Sequence, residues 1–267
     1  MTLREGFVEV DGGRLHYQID GEGDPLVLLH GFGLDARMWD GEVERFGRDH
    51  AVVRYDLRGF GRSTLPTAPF THFGDLRALL LQLGLARVDL VGLSMGGGVA
   101  VDFALSHPEL LRSLVLVDTI VGGFKWRTDG KAMGAAWAAA KTGGLPAARA
   151  AWLANPLFAP ALEDPEVAAR LRTMVDDYSG WHFLNDSPQR PLEPPAWERL
   201  ASIATRTLVL VGARDLADFR DIAARLTRDL PQAQSHVVEG AGHMLNLEAP
   251  ARFHELVARF LAEAANA

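Results

Sequence analysis

The chain has 267 residues, of which 48% are hydrophobic and 23% charged, and it contains no cysteine. The absence of cysteine excludes a disulfide framework, a zinc site with cysteine ligands, an iron–sulfur cluster and a thiol nucleophile. A formal net charge of −7 offers no basic surface of the kind that binds nucleic acid. A chain of this length is long enough to bury a large core as one α/β domain.

The start of the chain and its apolar runs indicate a protein without a membrane partner. Residues 1–6 lack a cationic stretch followed by an apolar core, so no signal peptide is visible. The longest apolar runs, such as 79–81 and 114–117, are far shorter than the ~20 residues that a membrane-spanning helix needs. We therefore expect a cytoplasmic protein that binds neither nucleic acid nor a membrane. The sequence indicates no particular oligomeric state.

Short apolar runs alternate with stretches of helical periodicity along most of the chain. The first two runs flank Asp11-Gly12-Gly13 and predict a hairpin, and the later ones are continuous and rich in Val and Leu, as is typical of buried parallel strands. The predicted strands are residues 8–10, 15–19, 26–29, 52–55, 88–91, 114–117, 208–211 and 236–238. The predicted helices are residues 36–46, 70–83, 95–106, 219–230 and 250–261. This alternation predicts an α/β fold with a mostly parallel sheet and right-handed crossovers.

The alternation stops between residues 121 and 200. This stretch contains the alanine-rich run 135–140, five of the six tryptophans and the proline-rich segment 188–195, and no strand-like run interrupts it. We predict that residues 121–200 form a helical insertion over one end of the sheet, and that residues 1–120 and 201–267 form the core. An ordinary pair of surface helices is the alternative.

The strongest chemical motif is Gly92-Leu93-Ser94-Met95-Gly96, which follows a predicted strand and precedes a predicted helix. The pattern G-x-S-x-G in that context is typical of a nucleophile elbow. The turn is so sharp that a side chain at either glycine would collide with neighbouring backbone, and it holds the Ser94 hydroxyl above the end of the sheet. A glycine-rich turn that serves only packing is the alternative.

A serine nucleophile needs a base, because its hydroxyl reacts poorly at neutral pH. His243 lies between the last predicted strand and the last predicted helix, and open α/β sheets carry their sites at the carboxyl ends of strands. The other eight histidines occupy less suitable positions, although His72 and His182 are harder to dismiss. A structural loop histidine is the alternative interpretation of His243.

The base in turn needs an anion that fixes its tautomer and stabilises the imidazolium. Asp215 directly follows a predicted buried strand and is the favoured candidate. Asp118 is its rival, because it ends a neighbouring strand from which it would reach the loop of His243. Asp218 and Asp221 are typical of helix-start residues that serve as caps.

An oxyanion hole requires two backbone N–H groups that point at the developing negative oxygen. We predict one from Met95, directly after the nucleophile, and one from Phe32 in the loop His30-Gly31-Phe32-Gly33, which follows an earlier strand. The glycines beside Phe32 would let its N–H turn inward, with its ring in the pocket wall. A simple turn is the alternative, and His30 is expected to brace the loop rather than to take part in catalysis.

Together these segments resemble the α/β-hydrolase superfamily. Ser94, Asp215 and His243 occur in its order, and the His-Gly-Phe-Gly loop and the elbow lie in the corresponding places. The segment Asp-Leu-Arg-Gly-Phe-Gly-Arg-Ser at 56–63 resembles a structural loop of that superfamily, held by its own hydrogen bonds. The resemblance implies a mostly parallel eight-stranded sheet flanked by helices, with the insertion as a cap that covers the site and selects substrates.

Within the superfamily, serine at the nucleophile position argues against the dehalogenases and epoxide hydrolases that carry aspartate there. We expect a serine hydrolase that cleaves short-to-medium acyl or aryl esters through an acyl-enzyme. One alternative is a lactonase, because the first half resembles 3-oxoadipate enol-lactonases through Arg37-Met38-Trp39-Asp40. The others are a C–C bond hydrolase, disfavoured by the His-Gly-Phe-Gly loop and Leu93, and a ligand sensor with very slow turnover.

The substrate, a small ester or lactone, is expected to bind in an apolar pocket. Its predicted wall consists of Phe32, Trp126, Trp137, Trp152 and Trp181, although each tryptophan would serve equally as packing core. We expect neither a metal nor another cofactor, because no group of His, Asp and Glu has the spacing of metal ligands.

Overall fold

The computed structural model describes residues 3–127 and 130–264. At its centre lies one eight-stranded sheet with the strand order β1-β2-β4-β3-β5-β6-β7-β8. The strands are β1 (Arg4–Val10), β2 (Gly13–Asp20), β3 (Asp24–Leu29), β4 (His50–Tyr55), β5 (Val88–Leu93), β6 (Leu111–Val117), β7 (Thr207–Gly212) and β8 (Ala233–Val238). Strand β2 pairs antiparallel with β1 and with β4, and every other pair is parallel. The predicted mostly parallel sheet, including its opening hairpin, is confirmed.

Helices flank this sheet. Among the described residues they are α1 (Asp40–Phe46), α2 (His72–Gln82), α3 (Met95–Ser106), α4 (Gly130–Leu153), α5 (Pro165–Asp177), α6 (Trp181–Leu184), α7 (Ala217–Asp229), α8 (Leu245–Glu248) and α9 (Pro250–Ala264). Each of the five predicted helices has a counterpart, and the first of them begins as a 3-10 turn, Ala36–Trp39, before α1. Within the described ranges, no helix has both the length and the apolar character needed to cross a bilayer.

The central strands are apolar on both faces because helices cover both. Every residue of β5 and of β7 is buried. Apolar surface removed from water contributes about 25 cal/mol per Å², so these strands hold the sheet together most strongly. The edge strand β8 is mostly exposed or half-buried. The loops after β5 and β7 therefore begin from firmly packed strands.

The segment between β6 and β7 contains α4, α5 and α6, in the place where the sequence predicts a helical insertion. Helix α4 is broken at Gly144, whose φ of 67° and ψ of −163° leave the helical region, and it packs against α5 and α6. Arg37, in the 3-10 turn before α1, donates to Asp177 of α5 at 2.8 Å. The division of the chain into a core and a cap remains a prediction.

A buried ion pair fixes the loop after β4, the segment that the sequence indicates to be structural. Arg58 is 1% exposed, and its Nε and Nη2 donate to the two carboxylate oxygens of Asp75 at 2.8 and 2.7 Å. The guanidinium also lies 4.7 Å from the ring centre of Phe70. Burial raises the pKa of Asp75, and the contact with Arg58 opposes that rise by favouring the charged carboxylate.

Replacing Arg58 with methionine would leave the Asp75 carboxylate buried without its cation. We expect Arg58→Met to lower the free energy of unfolding by about 3–5 kcal/mol, as measured by urea denaturation. The matched control is Arg45→Met, because Arg45 and its partner Asp49 have side chains 39% and 69% exposed. That exposed pair contributes less than about 1 kcal/mol. Equal losses in the two variants would contradict the importance of the buried pair.

Candidate active site

The candidate catalytic residues follow the carboxyl ends of parallel strands. The loop of Phe32 follows β3, Ser94 follows β5, Asp118 follows β6, Asp215 follows β7 and His243 follows β8. Because these strands run parallel, their carboxyl ends meet along one edge of the sheet. Residues that are far apart in the sequence are thereby brought to one place.

Ser94 lies in a strained turn between β5 and α3. Its φ of 54° and ψ of −114° are unfavourable for a residue with a side chain. The glycines make the turn sterically feasible, because a Cβ at Gly92 would overlap the Gly96 carbonyl, and a Cβ at Gly96 would overlap the Leu29 carbonyl. The Ser94 N–H donates to the Val117 carbonyl at 2.9 Å and so anchors the turn to β6. Such strain persists only where the surrounding structure enforces it.

His243 and Asp215 form a buried hydrogen bond. Nδ1 of His243 lies 2.9 Å from Oδ2 of Asp215, and their side chains are 3% and 0% exposed. The second carboxylate oxygen accepts from the Leu216 N–H at 2.7 Å. Because a carboxylate only accepts, Nδ1 of His243 carries the proton and Nε2 keeps its lone pair. The imidazole is therefore oriented as a base.

Glu248, at the end of α8, holds the loop that carries His243. Its carboxylate accepts from the backbone N–H groups of Gly242 at 2.6 Å and Met244 at 2.8 Å. Burial raises the pKa of Glu248, and these two hydrogen bonds oppose the rise. The role of Glu248 was not foreseen from the sequence. Its only signal is an acidic side chain shortly after a loop histidine.

His30 braces the loop of Phe32, as expected from the sequence. Its Nδ1 donates to the Gly31 carbonyl at 2.8 Å, and its Nε2 accepts from the Leu57 N–H at 3.0 Å. Burial lowers the pKa of His30, which favours the neutral ring that can donate with one nitrogen and accept with the other. The loop is therefore tied to the segment after β4.

Ser94 and His243 face the same cavity, whose volume is about 240 Å³. Phe32 and Met95, the predicted oxyanion-hole residues, also line it. Among the described residues of its wall, only Ser94, His243 and Gln189 have polar side chains, and none is Asp, Glu, Lys or Arg. The cavity is therefore a largely apolar chamber with a hydroxyl and an imidazole in its wall.

Two of the four predicted tryptophans line this cavity. Trp137 and Trp152 lie on either side of the break in α4 and both contribute to the wall. Their ring centres lie 5.6 and 5.1 Å from that of Phe32. Helix α4 and the loop after β3 thus enclose the chamber between them.

The other two tryptophans predicted for the wall are not among the described residues that line the cavity. Trp126 is 41% exposed and packs edge-on against Phe219, with ring centres 5.3 Å apart. Trp181 begins α6 and packs against His182, with ring centres 5.0 Å apart. An apolar side chain in residues 121–200 can be buried against any of several surfaces, and composition does not show against which one it packs.

Several wall residues were not foreseen from the sequence. Ile120, Phe158 and Phe219 line the cavity, and the Phe219 ring centre lies 4.4 Å from that of His243. Ile120 carries the one usable signal, since it closely follows the end of a buried strand. Phe158 belongs to a 3-10 turn of the insertion, and nothing in its neighbourhood marks it as a wall residue.

A larger cavity, of about 700 Å³, lies at the opposite edge of the sheet, where the parallel strands begin. Arg112 lines it and forms ion pairs with Asp24 and Asp89, each at 2.7 Å. Its described wall contains no serine or threonine to act as a nucleophile. The smaller chamber is therefore the candidate active site.

One cluster of potential metal ligands occurs among the described residues. One ligand atom each from Asp118, Asp215 and His243 lies within 4.8 Å of the others. Asp215 and His243 already share a hydrogen bond, which a cation bound between them would have to break. The donor set therefore suits proton transfer better than metal binding.

Comparison with known proteins shows the family of this chain. The chain matches the model of the alpha/beta hydrolase family over residues 26–256. It is 31% identical to the 2-hydroxy-6-oxononadienedioate/2-hydroxy-6-oxononatrienedioate hydrolase of Burkholderia vietnamiensis, over 93% of this chain and 91% of that protein. It is also 31% identical to the pimeloyl-[acyl-carrier protein] methyl ester esterase of Yersinia enterocolitica, over 92% of this chain and 97% of that protein.

A solved structure shows the same similarity. The enol-lactonase from Burkholderia xenovorans superposes with a TM-score of 0.82 at 28% identity, covering 96% of this chain and 100% of that chain. The match to the family model spans most of the chain, from β3 into α9. The chain therefore belongs to the alpha/beta hydrolase family.

Proposed function

We propose that this protein is a serine hydrolase that cleaves neutral carboxylic esters through an acyl-enzyme. The observation that carries the proposal is one apolar cavity with a serine hydroxyl and an imidazole in its wall. Ser94 is held there in a strained turn, and His243 is held there by its hydrogen bond to Asp215. This combination of nucleophile, base and orienting acid is the arrangement that acyl transfer requires.

In the proposed reaction, Nε2 of His243 takes the proton of Ser94 as Oγ attacks the carbonyl carbon. The backbone N–H groups of Phe32 and Met95 stabilise the resulting oxyanion. The imidazolium, stabilised by Asp215, then protonates the leaving alcohol as the ester C–O bond breaks. Water attacks the acyl-enzyme with His243 again acting as base, which releases the carboxylic acid and restores Ser94.

The wall of the cavity favours an uncharged substrate. A carboxylate buried against Trp137, Trp152 and Phe158 would lose its hydration without gaining a cation, which is costly. The relative named for dienedioate hydrolysis acts on a dianion, whereas the relative named as a methyl ester esterase acts on an ester. The esterase is therefore the better guide to substrate class. A volume of about 240 Å³ suits a short or medium acyl group.

We further propose that residues 121–200 act as the cap of this site. Helix α4 supplies Trp137 and Trp152 to the wall, opposite the elbow of Ser94. Substrate selection would then reside in α4 and chemistry in the loops of the sheet.

The first test is removal of the nucleophile. We expect Ser94→Ala to lower kcat/KM for p-nitrophenyl butyrate by roughly a thousandfold or more, because the acyl-enzyme cannot form. A fluorophosphonate should label the wild-type protein on Ser94, as located by mass spectrometry of tryptic peptides. The matched control, Ser235→Ala, changes an exposed serine on β8 and should leave both readouts unaltered.

Two results would contradict the proposal. A Ser94→Ala variant that retained the wild-type rate would exclude Ser94 as nucleophile. Stoichiometric labelling of Ser94 without turnover of any member of a broad ester and lactone panel would indicate a ligand sensor rather than a hydrolase.

The second test concerns substrate charge. We expect kcat/KM for p-nitrophenyl butyrate to exceed that for a dianionic enol-lactone by about tenfold or more, because the described wall lacks a cation to pair with a carboxylate. Steady-state kinetics on p-nitrophenyl esters, neutral lactones, the dianionic enol-lactone and a vinylogous diketone would measure this preference. A higher kcat/KM for the dianionic enol-lactone would indicate a lactonase, and a higher value for the diketone would indicate a C–C bond hydrolase.

A further inference from the structure

Asp118, at the end of β6, is a buried acid that the proposed mechanism does not use. Its side chain is 1% exposed, and its φ of 43° is rare for a residue other than glycine. Its N–H donates to the Leu210 carbonyl at 2.9 Å, and its Oδ1 accepts from the Gly212 N–H at 2.8 Å. Its Oδ2, which solvent does not reach, has no hydrogen-bond partner among the described residues.

This unpartnered oxygen belongs to a carboxyl group close to a second one. One polar side-chain atom each from Asp118, Asp215 and His243 lies within 4.8 Å of the others. Two carboxylates at such a separation in a buried site cannot both carry a charge at low cost, so one of them holds a proton. Glu248 adds a further acidic group from α8 and acts in the same direction.

The hydrogen bonds decide which of the two is protonated. Asp215 accepts from His243 and from the Leu216 N–H, so two donors stabilise its charge. Among the residues that the structure describes, Asp118 accepts from the Gly212 N–H alone. Burial and the charge of Asp215 both raise the pKa of Asp118 well above its usual range. Its Oδ2 lacks a donor, which is the condition expected of an oxygen that carries a proton itself.

We propose that Asp118 is a neutral carboxylic acid that donates its Oδ2 proton to the Asp215 carboxylate and so positions Asp215 against His243. The inference rests on the proposed function, because it assigns a role beside the acid that orients the base. Asp118 is a positioning residue that acts through Asp215. By its contact with Gly212 it also ties the end of β6 to the end of β7, from which the Asp215 loop starts.

Infrared spectroscopy tests the protonation state without using turnover. At about pH 8, an acid with an ordinary pKa is charged, whereas a protonated carboxyl group shows its own C=O stretch. The wild-type minus Asp118→Asn difference spectrum is expected to contain that band. The matched control is Asp102→Asn, because burial raises the pKa of Asp102 only to about 6, so this residue is charged under the same conditions. Absence of the band from the first difference spectrum would overturn the proposal.

Kinetics tests the positioning role. Asp118→Asn replaces a neutral acid with a neutral amide that still donates to Asp215 and accepts from Gly212. We expect it to keep kcat/KM for p-nitrophenyl butyrate within about threefold of wild type and to leave the midpoint of the acidic limb of the pH profile unchanged. Asp118→Leu lacks the donor, and we expect kcat to fall roughly tenfold or more while KM changes little.

An ionised Asp118 would give a different result. The Asn variant would then remove a negative charge beside His243, which would destabilise the imidazolium and move that midpoint to lower pH. Such a shift would overturn the proposal even if the Leu variant failed to fold. Because the infrared spectra can be recorded in a Ser94→Ala background, the protonation of Asp118 is measured whether or not Ser94 is the nucleophile.

Discussion

The site depends on the close approach of two strands and a helix around Ser94. A residue with a positive φ needs neighbours that prevent it from relaxing, and here the glycines at 92 and 96 let the backbone of β3 and α3 come near enough to do so. The hydrogen bond from the Ser94 N–H to the Val117 carbonyl adds the neighbouring strand. If this packing loosened, the backbone of Ser94 could relax and its hydroxyl could turn away from the cavity. The proposed hydrolysis therefore depends on the buried core of the sheet.

A second constraint is electrostatic. The carboxyl-end edge of the sheet gathers the buried Asp118 and Asp215 and the half-buried Glu248, and each accepts from at least one backbone N–H group. These donors lower the free-energy cost of a charged carboxylate at Asp215, the proposed partner of the base, below the cost that burial alone would impose. A protonated Asp118 completes this arrangement, because it removes one negative charge and supplies one more donor.

The apolar wall of the cavity supports the proposed preference for uncharged substrates. Helix α4 contributes two indole rings and the loop after β3 contributes Phe32, so the described surface around Ser94 is almost entirely apolar. Asp177, a charged side chain of residues 121–200, instead accepts from Arg37 away from the cavity. The similar proteins are named for different substrates, so the family assignment by itself does not identify the substrate.

The sequence by itself determined the strands, the elbow and the order of the catalytic candidates, because these depend on local physics: continuous apolar runs for buried strands, and glycines where a side chain would collide. It left Asp118 and Asp215 as rivals, and only the tertiary structure showed which of them contacts His243, because both follow parallel strands and their distances depend on the twist and register of the sheet. Likewise, the break at Gly144 and the packing of α4 decided that Trp137 and Trp152 face the cavity, whereas Trp126 and Trp181 cover other surfaces. Hydrophobicity shows that a side chain is buried, but the surface against which it is buried is a property of the whole fold.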